Sequence, residues 1–566
     1  MFAVLFTTES ARNALCRRNG RVDSRLFGPT VSVLDVDGNI GPASPTDENK
    51  RMIARITESP PPSQYESPFR VIIVGAGVAG LTLAHCLDKA GIDYLVLDKG
   101  IVAPPFGTTI TLQPHGCRIL HQLGILDDVL DSCSTMGKCY YRTPDGHCFL
   151  ENDFFPIVKK YAGYDTRTMN RQLFLRILYN CLPDKSKVLE HHRVVDIIEE
   201  RDSARVVLGD GTEYIGDLIV GADGVHSKVR EIMWNNANKT IPHFITAAEK
   251  RSMVTTYNAI VAQCPPIPGL GPHDMHSISN DRFSFLLLCQ PTFISYIAHC
   301  KLPEDQQCVW PNRARFTDDD MEALACKLAD YPICESVVFG ELWRTRTKAQ
   351  LISLEEGVLD HWFFGRTVMA GDAIHKVTPN SALGGCTAME DGAAITNQLY
   401  QLLNRHPNKK PSTVEISAAM QEYQDSRLDR VKTIVKVGGD LTRLQAFDGW
   451  YFYIMQRWVT PWIGLDTLAV NIAKLCSDGT KLSFVDFPEQ RGLLGWQDTI
   501  AIEAREERAV GQKQQLELSQ KWWYWNGEVQ QIWPLLVGFF LCLSSTLLWC
   551  LPRDPHHVWF GIDAAH

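Results

Sequence analysis

Several common signatures are missing from this sequence of 566 residues. Positive charge is not in excess, since 56 Lys and Arg stand against 65 Asp and Glu, so we expect no nucleic-acid partner. The 17 cysteines form no C-x-x-C pair, which argues against a zinc site or a small disulfide framework. The first residues contain only a short apolar run with no basic segment ahead of it, which argues against a secretory signal. No metal site is expected.

What the sequence contains is typical of a globular protein with one exceptional segment. Hydrophobic residues make up 45% and charged residues 21% of the chain, a balance that argues against a disordered or polytopic membrane protein. The exception is residues 532–551, which carry no charge and follow a group of tryptophans. Because a helix of this length rises by about 30 Å, the run predicts one transmembrane helix with an aromatic belt.

The order of sequence patterns predicts an α/β fold with additions at both ends. Residues 1–66 are rich in Pro, Ser and charge and predict a flexible leader, whereas residues 67–445 alternate strand-like and helix-like segments. Short alternating runs at about 240–350 predict an antiparallel β-sheet inserted in, or packed beside, a Rossmann-like, mainly parallel core. Residues 446–510 predict a helical tail before the transmembrane helix at 532–551, either as a pair of core helices or as a membrane-associated tail.

The strongest local motif is Gly75-x-Gly77-x-x-Gly80, which follows an apolar strand-like run and opens a helical stretch. Its glycines allow a tight turn, close approach of a pyrophosphate and close packing of helix on strand, and the helix start attracts phosphate. Asp98 ends the second strand, where its carboxylate can accept hydrogen bonds from a ribose hydroxyl. The pattern predicts dinucleotide binding but does not distinguish NAD(P) from FAD.

Two later motifs favour FAD. GADGVHSKVR (221–230) and MAGDAIHKVTPNSALGGCTAMEDG (369–392) place Asp223 and Asp372 at strand ends beside glycine. Asp372 can reach a ribityl or ribose hydroxyl of a long cofactor. The helix that begins at Gly384 and Gly385 can stabilise negative charge on a reduced flavin ring through its dipole.

Together these motifs resemble the single-component FAD-dependent monooxygenases of the hydroxybenzoate hydroxylase type over residues 69–445. The likeness is greatest to fungal enzymes of indole-diterpene and meroterpenoid pathways that epoxidise prenyl chains, and GTTITLQPHGCRILHQLGIL and RQLFLRIL extend it. The resemblance implies that Asp98 binds the adenosine ribose and that Thr111 and Arg171 lie at the flavin. It also implies that Asp372 and Gly385 complete the site, and that Asp223 belongs to a motif associated with both FAD and NAD(P)H. It names no catalytic side chain.

The sequence departs from the family pattern at two positions. Asp98 stands where the family usually has Glu, which keeps the carboxylate and shortens its reach. Cys386 stands where Asn commonly follows the paired glycines, so a side-chain amide contact near the flavin would be lost.

The resemblance further implies a reaction. NADPH would reduce bound FAD, and the reduced flavin, as a C4a-hydroperoxide formed with O2, would epoxidise an alkene of a lipophilic prenylated metabolite. No candidate base for forming a phenolate is evident, which favours epoxidation. An aromatic hydroxylase on the same scaffold and a non-enzymatic flavin-binding membrane protein remain as alternatives. We expect a single-pass protein of the endoplasmic reticulum with a C-terminal anchor, a cytosolic catalytic domain and other pathway enzymes as partners.

Overall fold

The computed structural model describes residues 32–34, 40–42, 68–105 and 107–501. The chain divides into two compact units, Met1–Leu494 and Gly495–His566, and the elements discussed below lie in the first. Most of the predicted leader, 1–66, and the predicted transmembrane segment, 532–551, lie outside the described residues. An antiparallel ribbon pairs strand β1 (Ser32–Leu34) with strand β2 (Ile40–Pro42).

The remaining elements alternate as an α/β protein requires. The other strands are β3 (Arg70–Val74), β4 (Asp93–Leu97), β5 (Thr109–Leu112), β6 (Ser134–Thr135), β7 (Cys139–Arg142), β8 (Cys148–Asn152), β9 (Arg167–Asn170), β10 (Val188–Leu189), β11 (Val194–Glu199), β12 (Ala204–Leu208), β13 (Glu213–Gly216), β14 (Leu218–Gly221), β15 (Val254–Cys264), β16 (Met275–Asn280), β17 (Phe283–Cys289), β18 (Ile294–Lys301), β19 (Cys308–Val309), β20 (Pro332–Cys334), β21 (Val337–Val338), β22 (Lys348–Val358), β23 (Phe363–Phe364), β24 (Thr367–Met369) and β25 (His375–Lys376). The α-helices are α1 (Val78–Lys89), α2 (Pro114–Leu123), α3 (Leu126–Leu130), α4 (Phe154–Ala162), α5 (Arg171–Asn180), α6 (Lys228–Thr240), α7 (Asp318–Leu328), α8 (Phe339–Arg344), α9 (Gly384–Arg405), α10 (Thr413–Gln445), α11 (Trp450–Ile454), α12 (Thr460–Ile463) and α13 (Leu465–Ser477), and a π-helix covers Met455–Val459.

A six-stranded sheet in the order β10-β4-β3-β14-β24-β23 forms the first layer. Its central strand β3 is apolar and buried from Val71 onward, as expected for a strand covered on both faces. Strands β4, β3, β14 and β24 run parallel, so their carboxyl ends share one edge. The α/β class predicted from the sequence is therefore confirmed. The turns after β3, β14 and β24, which carry the glycine motif, Asp223 and Asp372, all lie at this edge of the sheet.

Helices α1 and α9 pack closely beside that edge. A Cβ atom on Gly392 of α9 would lie 3.3 Å from the backbone of Leu83 in α1. Because glycine has no Cβ, the two helix backbones can approach where a larger residue would separate them. This contact fixes the start of α9 relative to the glycine turn that precedes α1.

A nine-stranded sheet forms the second layer, in the order β25-β22-β15-β18-β17-β16-β7-β8 with β19 paired to β15. One of its faces packs on α7 and α8 through a continuous apolar cluster. The sheet is larger than the predicted 240–350 segment because β7 and β8 join it from residues 139–152. Strand β7 pairs in parallel with β16, a pairing between segments far apart in sequence that local patterns do not reveal.

Residues 446–494 belong to the same compact unit as the α/β core. Buried polar contacts hold the segment after α13 to α2: Arg118 pairs with Glu489 at 2.6 Å, and the Gln122 amide bonds the backbone of Leu482. Earlier in the segment, Trp450 and Trp462 are 78% and 88% exposed. A membrane as partner of these helices stays a prediction.

The localisation expected from the sequence is contradicted. Within residues 68–105 and 107–501, no helix combines the length and apolarity needed to cross a bilayer. The physical reason is charge, since the two longest helices, α9 with 22 residues and α10 with 33, carry acidic and basic side chains along their length. The single-pass membrane protein is therefore not supported, and the segment on which that expectation rested lies outside the described residues.

Candidate functional site

The glycine turn after β3 is tightly packed at Gly75 and Gly80 but has open space beside Gly77. The Gly75 N–H donates to the Leu97 carbonyl at 2.8 Å, and Gly75 has a φ of +110°. A Cβ on Gly80 would lie 1.9 Å from the Gly75 oxygen, whereas a Cβ on Gly77 would meet nothing within 4 Å. Helix α1 begins after Gly77 without a side-chain cap. Its first N–H groups can therefore receive an anion such as a pyrophosphate.

Asp98 lies directly beside this turn. Its Oδ2 accepts a hydrogen bond from the Ala76 N–H at 2.7 Å, and its Oδ1 accepts from the Gly100 N–H at 2.8 Å. Each carboxylate oxygen has a further lone pair, so Asp98 can brace the turn and still accept from a ribose hydroxyl. The side chain of Asp, although shorter than that of Glu, is long enough to reach the turn, because the Ala76 N–H lies within hydrogen-bond distance of it.

Asp372 and Arg171 are brought together from distant parts of the chain. Asp372 follows β24 and pairs with Lys376. Arg171 begins α5, and its side chain makes no hydrogen bond or ion pair with any described residue. Burial lowers the pKa of Arg171 while the charge of Asp372 opposes that shift. A half-buried guanidinium without a protein partner fits an anionic part of a cofactor.

Strand β5, which carries Thr111, passes the start of α9 at Gly385. A Cβ on Gly385 would lie 3.1 Å from Cδ1 of Ile110, and the Thr111 hydroxyl is 3.0 Å from that of Thr168. Helix α9 begins without a side-chain cap, so its first N–H groups and positive dipole end are available to a flavin.

Cys386, the departure from the family pattern, takes part in a different contact. Its sulfur accepts a hydrogen bond from the Gln113 N–H at 3.2 Å. Burial raises the pKa of Cys386 to about 12, so the group is a neutral thiol at neutral pH. The side chain holds the loop after β5 against α9 in place of an amide.

Asp223 is at the predicted edge but its carboxylate is directed elsewhere. It accepts hydrogen bonds from the Ser227 hydroxyl at 2.5 Å and from the Lys228 N–H at 2.7 Å, at the start of α6. Its cofactor role stays a prediction. The neighbouring Arg230 is fully buried and donates to the Ala373 carbonyl at 2.9 Å, which ties α6 to the turn that carries Asp372.

A buried ion network behind this turn was not foreseen from the sequence. It consists of Glu390 and Asp391 on α9 with Arg427 and Arg430 on α10. Arg427 pairs with both acids, and Arg430 pairs with Glu390 at 2.7 Å. Asp391 also accepts from the Gly371 N–H at 2.8 Å and contacts His375 at 2.7 Å. The network therefore fixes the backbone immediately before Asp372.

The charges in this network hold both acids ionised. Burial alone would raise the pKa of Glu390 and Asp391, but the neighbouring arginines, and His375 for Asp391, bring both pKa values below their ordinary range. The sequence signal was weak: a Glu-Asp pair inside an apolar helix, and two arginines three residues apart on the next helix.

Two further residues connect the sheets at the site. Gln263 on β15 donates to the Thr108 carbonyl at 3.0 Å, and the Thr109 hydroxyl donates to Ser295 on β18 at 2.5 Å. Both Gln263 and Ser295 are buried. One face of the nine-stranded sheet is thereby directed toward the segment that leads to Thr111 and Arg171.

A parallel sheet with an open glycine turn, an adjacent carboxylate and two uncapped helix starts is the arrangement of a dinucleotide-binding protein. Residues 69–436 match the family model described as FAD binding domain, and the chain belongs to this family.

Similarity to named proteins specifies the class further. The chain is 61% identical over 516 residues to the FAD-dependent monooxygenase DEP2 of Alternaria brassicicola, covering 88% of this chain and 98% of that protein. It is 35% identical over 430 residues to the FAD-dependent monooxygenase penE of Penicillium thymicola, covering 76% and 90%. The solved Klebsiella pneumoniae HpxO complexed with FAD and uric acid matches in fold, with a TM-score of 0.59 at 20% identity over 74% of this chain and 98% of that one. The predicted FAD-dependent monooxygenase is confirmed.

Proposed function

We propose that this monooxygenase uses NADPH and O2 to epoxidise an alkene of a lipophilic, prenylated secondary metabolite. When bound and reduced, FAD supplies the activated oxygen. The protein positions the alkene and excludes water. The observation that carries the proposal is the chemistry of the sheet face directed at the flavin segment.

That surface, named the site face, consists of three rows of side chains on β15 to β18. Directly paired residues of antiparallel strands share a face, and the register therefore defines the rows. The first row is Met275, Leu288, Ser295 and Gln263; the second is Ser277, Leu286, Ile297 and Val261; the third is Ser279, Ser284, His299 and Ala259.

The site face favours an alkene over a phenol as substrate. His299 is the basic side chain in these three rows, and burial lowers the pKa of His299 to about 4. A phenol has a pKa of about 10, so the imidazole is too weak a base to hold a phenolic proton. An isolated alkene requires no such base. The aliphatic side chains of the second row suit a prenyl chain.

The use of NADPH is supported by positive charge beside the Asp372 turn. His226 stacks on Trp310 with ring centroids 5.6 Å apart. Burial and the charges of Arg313, Arg230 and nearby lysines lower the pKa of His226 to about 4. A cavity of about 410 Å³ opens beside these groups. Two arginines, Arg313 and Arg315, and one acid, Glu231, line it, and this excess of positive charge would attract an anionic dinucleotide.

The test is incubation of the purified holoenzyme with NADPH, O2 and prenylated polyketides, followed by mass spectrometry of the products. We expect flavin bleaching by NADPH and a product with one added oxygen on a prenyl alkene. Oxygen added only to a phenol ring would favour the aromatic hydroxylase. Flavin that stays oxidised in the presence of NADPH with every substrate would overturn the proposal.

A further inference from the structure

Two hydroxyl groups on the site face have no hydrogen-bond partner among the described residues. Ser277 and Ser279 are both 1% exposed, and neither Oγ atom is bonded to another group in that part of the chain. They lie two residues apart on β16, so both belong to the same face. A buried hydroxyl left unpaired costs about 1 to 3 kcal/mol, and most buried polar groups in folded proteins are paired.

The polar character continues across the neighbouring strands. Ser279 is paired in register with Ser284, and Ser284 with His299. The Ser284 hydroxyl is hydrogen-bonded to Nε2 of His299 at 2.5 Å. The third row therefore presents one completed polar pair beside one incomplete hydroxyl.

Aliphatic side chains border this polar stripe. Leu286 and Ile297 follow Ser277 in the second row, and Val261 completes it. A ligand on the site face would therefore meet the hydroxyl groups of β16 and, beside them, a hydrocarbon surface on β17, β18 and β15. That combination suits a molecule with an apolar body and an oxygen-bearing end.

We propose that Ser277 and Ser279 bind an oxygen atom of the substrate, which is therefore an alkene-bearing lipid with a hydroxyl or carbonyl head group. The substrate supplies the hydrogen-bond partner that the protein lacks, and the head group fixes which alkene reaches the flavin. The inference rests on the proposed function, because it takes the site face as the substrate surface.

A purely structural role makes the opposite prediction. If these hydroxyls only fill space, their removal changes neither ligand affinity nor the preference between ligands. Ser252 offers a matched control, because its buried hydroxyl also lacks a partner and it precedes β15, outside the three rows.

The experiment compares the wild-type holoenzyme with the Ser277→Ala/Ser279→Ala double variant and with Ser252→Ala. The probes are farnesol and farnesene, which share a prenyl chain and differ in the hydroxyl. Dissociation constants are obtained from the change in flavin absorbance, and melting temperatures are recorded. We expect the double variant to bind farnesol about tenfold more weakly, by loss of hydrogen bonds. Farnesene affinity and melting temperature should not fall, and Ser252→Ala should behave as wild type.

Two results would overturn the inference. One is an unchanged affinity of the double variant for farnesol, or a wild type with no preference for the alcohol. The other is equal weakening of both probes together with a lower melting temperature. Oxygen transfer tests the proposed function separately: a wild type that binds farnesol through these serines but oxygenates no alkene would overturn the function alone.

Discussion

The buried ion network and the site face are both rich in buried polar groups, but they differ in where the hydrogen-bond partners come from. In the network, Arg427 pairs with both Glu390 and Asp391, and the side chains of these three residues are 0% exposed. On the site face, the hydroxyls of Ser277 and Ser279 are also buried, and no group within 68–105 or 107–501 is hydrogen-bonded to them. The polar groups of the ion network therefore have partners within the protein, whereas the two serines of the site face do not have one among the described residues.

We interpret the ion network as a structural support and the site face as the proposed binding surface. A charge taken out of water is tolerated only when it is paired, so each member of the network holds the others and the turn before Asp372. A buried hydroxyl without a hydrogen-bond partner does not stabilise the fold. Its presence is explained if a ligand supplies the missing hydrogen bond. Substitutions in the two regions should therefore have effects of different size and sign.

The largest effect is expected from Arg427→Met. Removal of one partner from a buried ion pair leaves an uncompensated charge and typically costs about 3 to 5 kcal/mol. We expect this loss in the free energy of unfolding in urea, with loss of bound flavin. Lys436→Met is the control, because Lys436 and its partner Asp440 are 67% and 53% exposed and an exposed pair contributes at most about 1 kcal/mol. Equal losses of unfolding free energy in the two variants would show that the ion network is not a special structural support.

The network should also make stability depend on pH through His115. This ring is 1% exposed and 3.5 Å from Glu390, but burial, together with Arg427 and Arg430, lowers the pKa of His115 to about 3. We therefore treat the ring as neutral, not as an ion pair. Its ordinary pKa is about 6.5, so the unfolded chain binds the proton first.

The resulting stability is fully present above pH 6.5 and is lost as the pH falls toward 3, by about 1.4 kcal/mol for each pH unit. His115→Gln should reduce the slope of unfolding free energy against pH between 6.5 and 4 by that amount. Urea unfolding at several pH values measures it. The same slope in wild type and variant would show that His115 is already protonated in the folded protein.

A smaller effect is expected from Asp391→Asn. The amide keeps an oxygen for the Gly371 N–H but loses the charge that binds His375 and Arg427, so the turn before Asp372 becomes less fixed. We expect flavin to bind about tenfold more weakly, equivalent to about 1.4 kcal/mol, with unchanged far-UV circular dichroism. Asp440→Asn, at an exposed pair with Lys436, should leave flavin affinity as it is. An unaltered affinity in Asp391→Asn would limit the network to a stabilising role.

The sequence predicted the shared edge of the parallel sheet because each motif is local. Gly75, Asp98 and Asp372 each follow a strand within a few residues, and parallel strands place such turns together. It did not predict that Asp223 would accept hydrogen bonds from the start of α6, because the same carboxylate can serve a helix start or a ligand. Nor did it place Ser277 and Ser279 on the same sheet face as His299, since this depends on strand pairing and register.

The network could not be derived for the same reason. Glu390 and Arg427 lie on successive helices, and only the packing of α10 on α9 brings them into contact. Charged residues inside a helix are usually solvated, so sequence alone favours a surface position for both. The transmembrane expectation failed for a different reason, because the long helices of residues 68–105 and 107–501 carry charged side chains along their length.

The smallest effects provide the sharpest comparison, since they concern two serines paired across β16 and β17. Ser284→Ala removes the partner of the buried His299 and should lower the free energy of unfolding by about 1 kcal/mol. Ser279→Ala removes a hydroxyl that has no partner, so its stability should stay the same or rise slightly. Both changes delete one oxygen atom at equal burial, and differential scanning calorimetry of the two holoenzymes measures the contrast. A loss in Ser279→Ala as large as that in Ser284→Ala would mean that the hydroxyl is satisfied within the protein and is not reserved for a ligand.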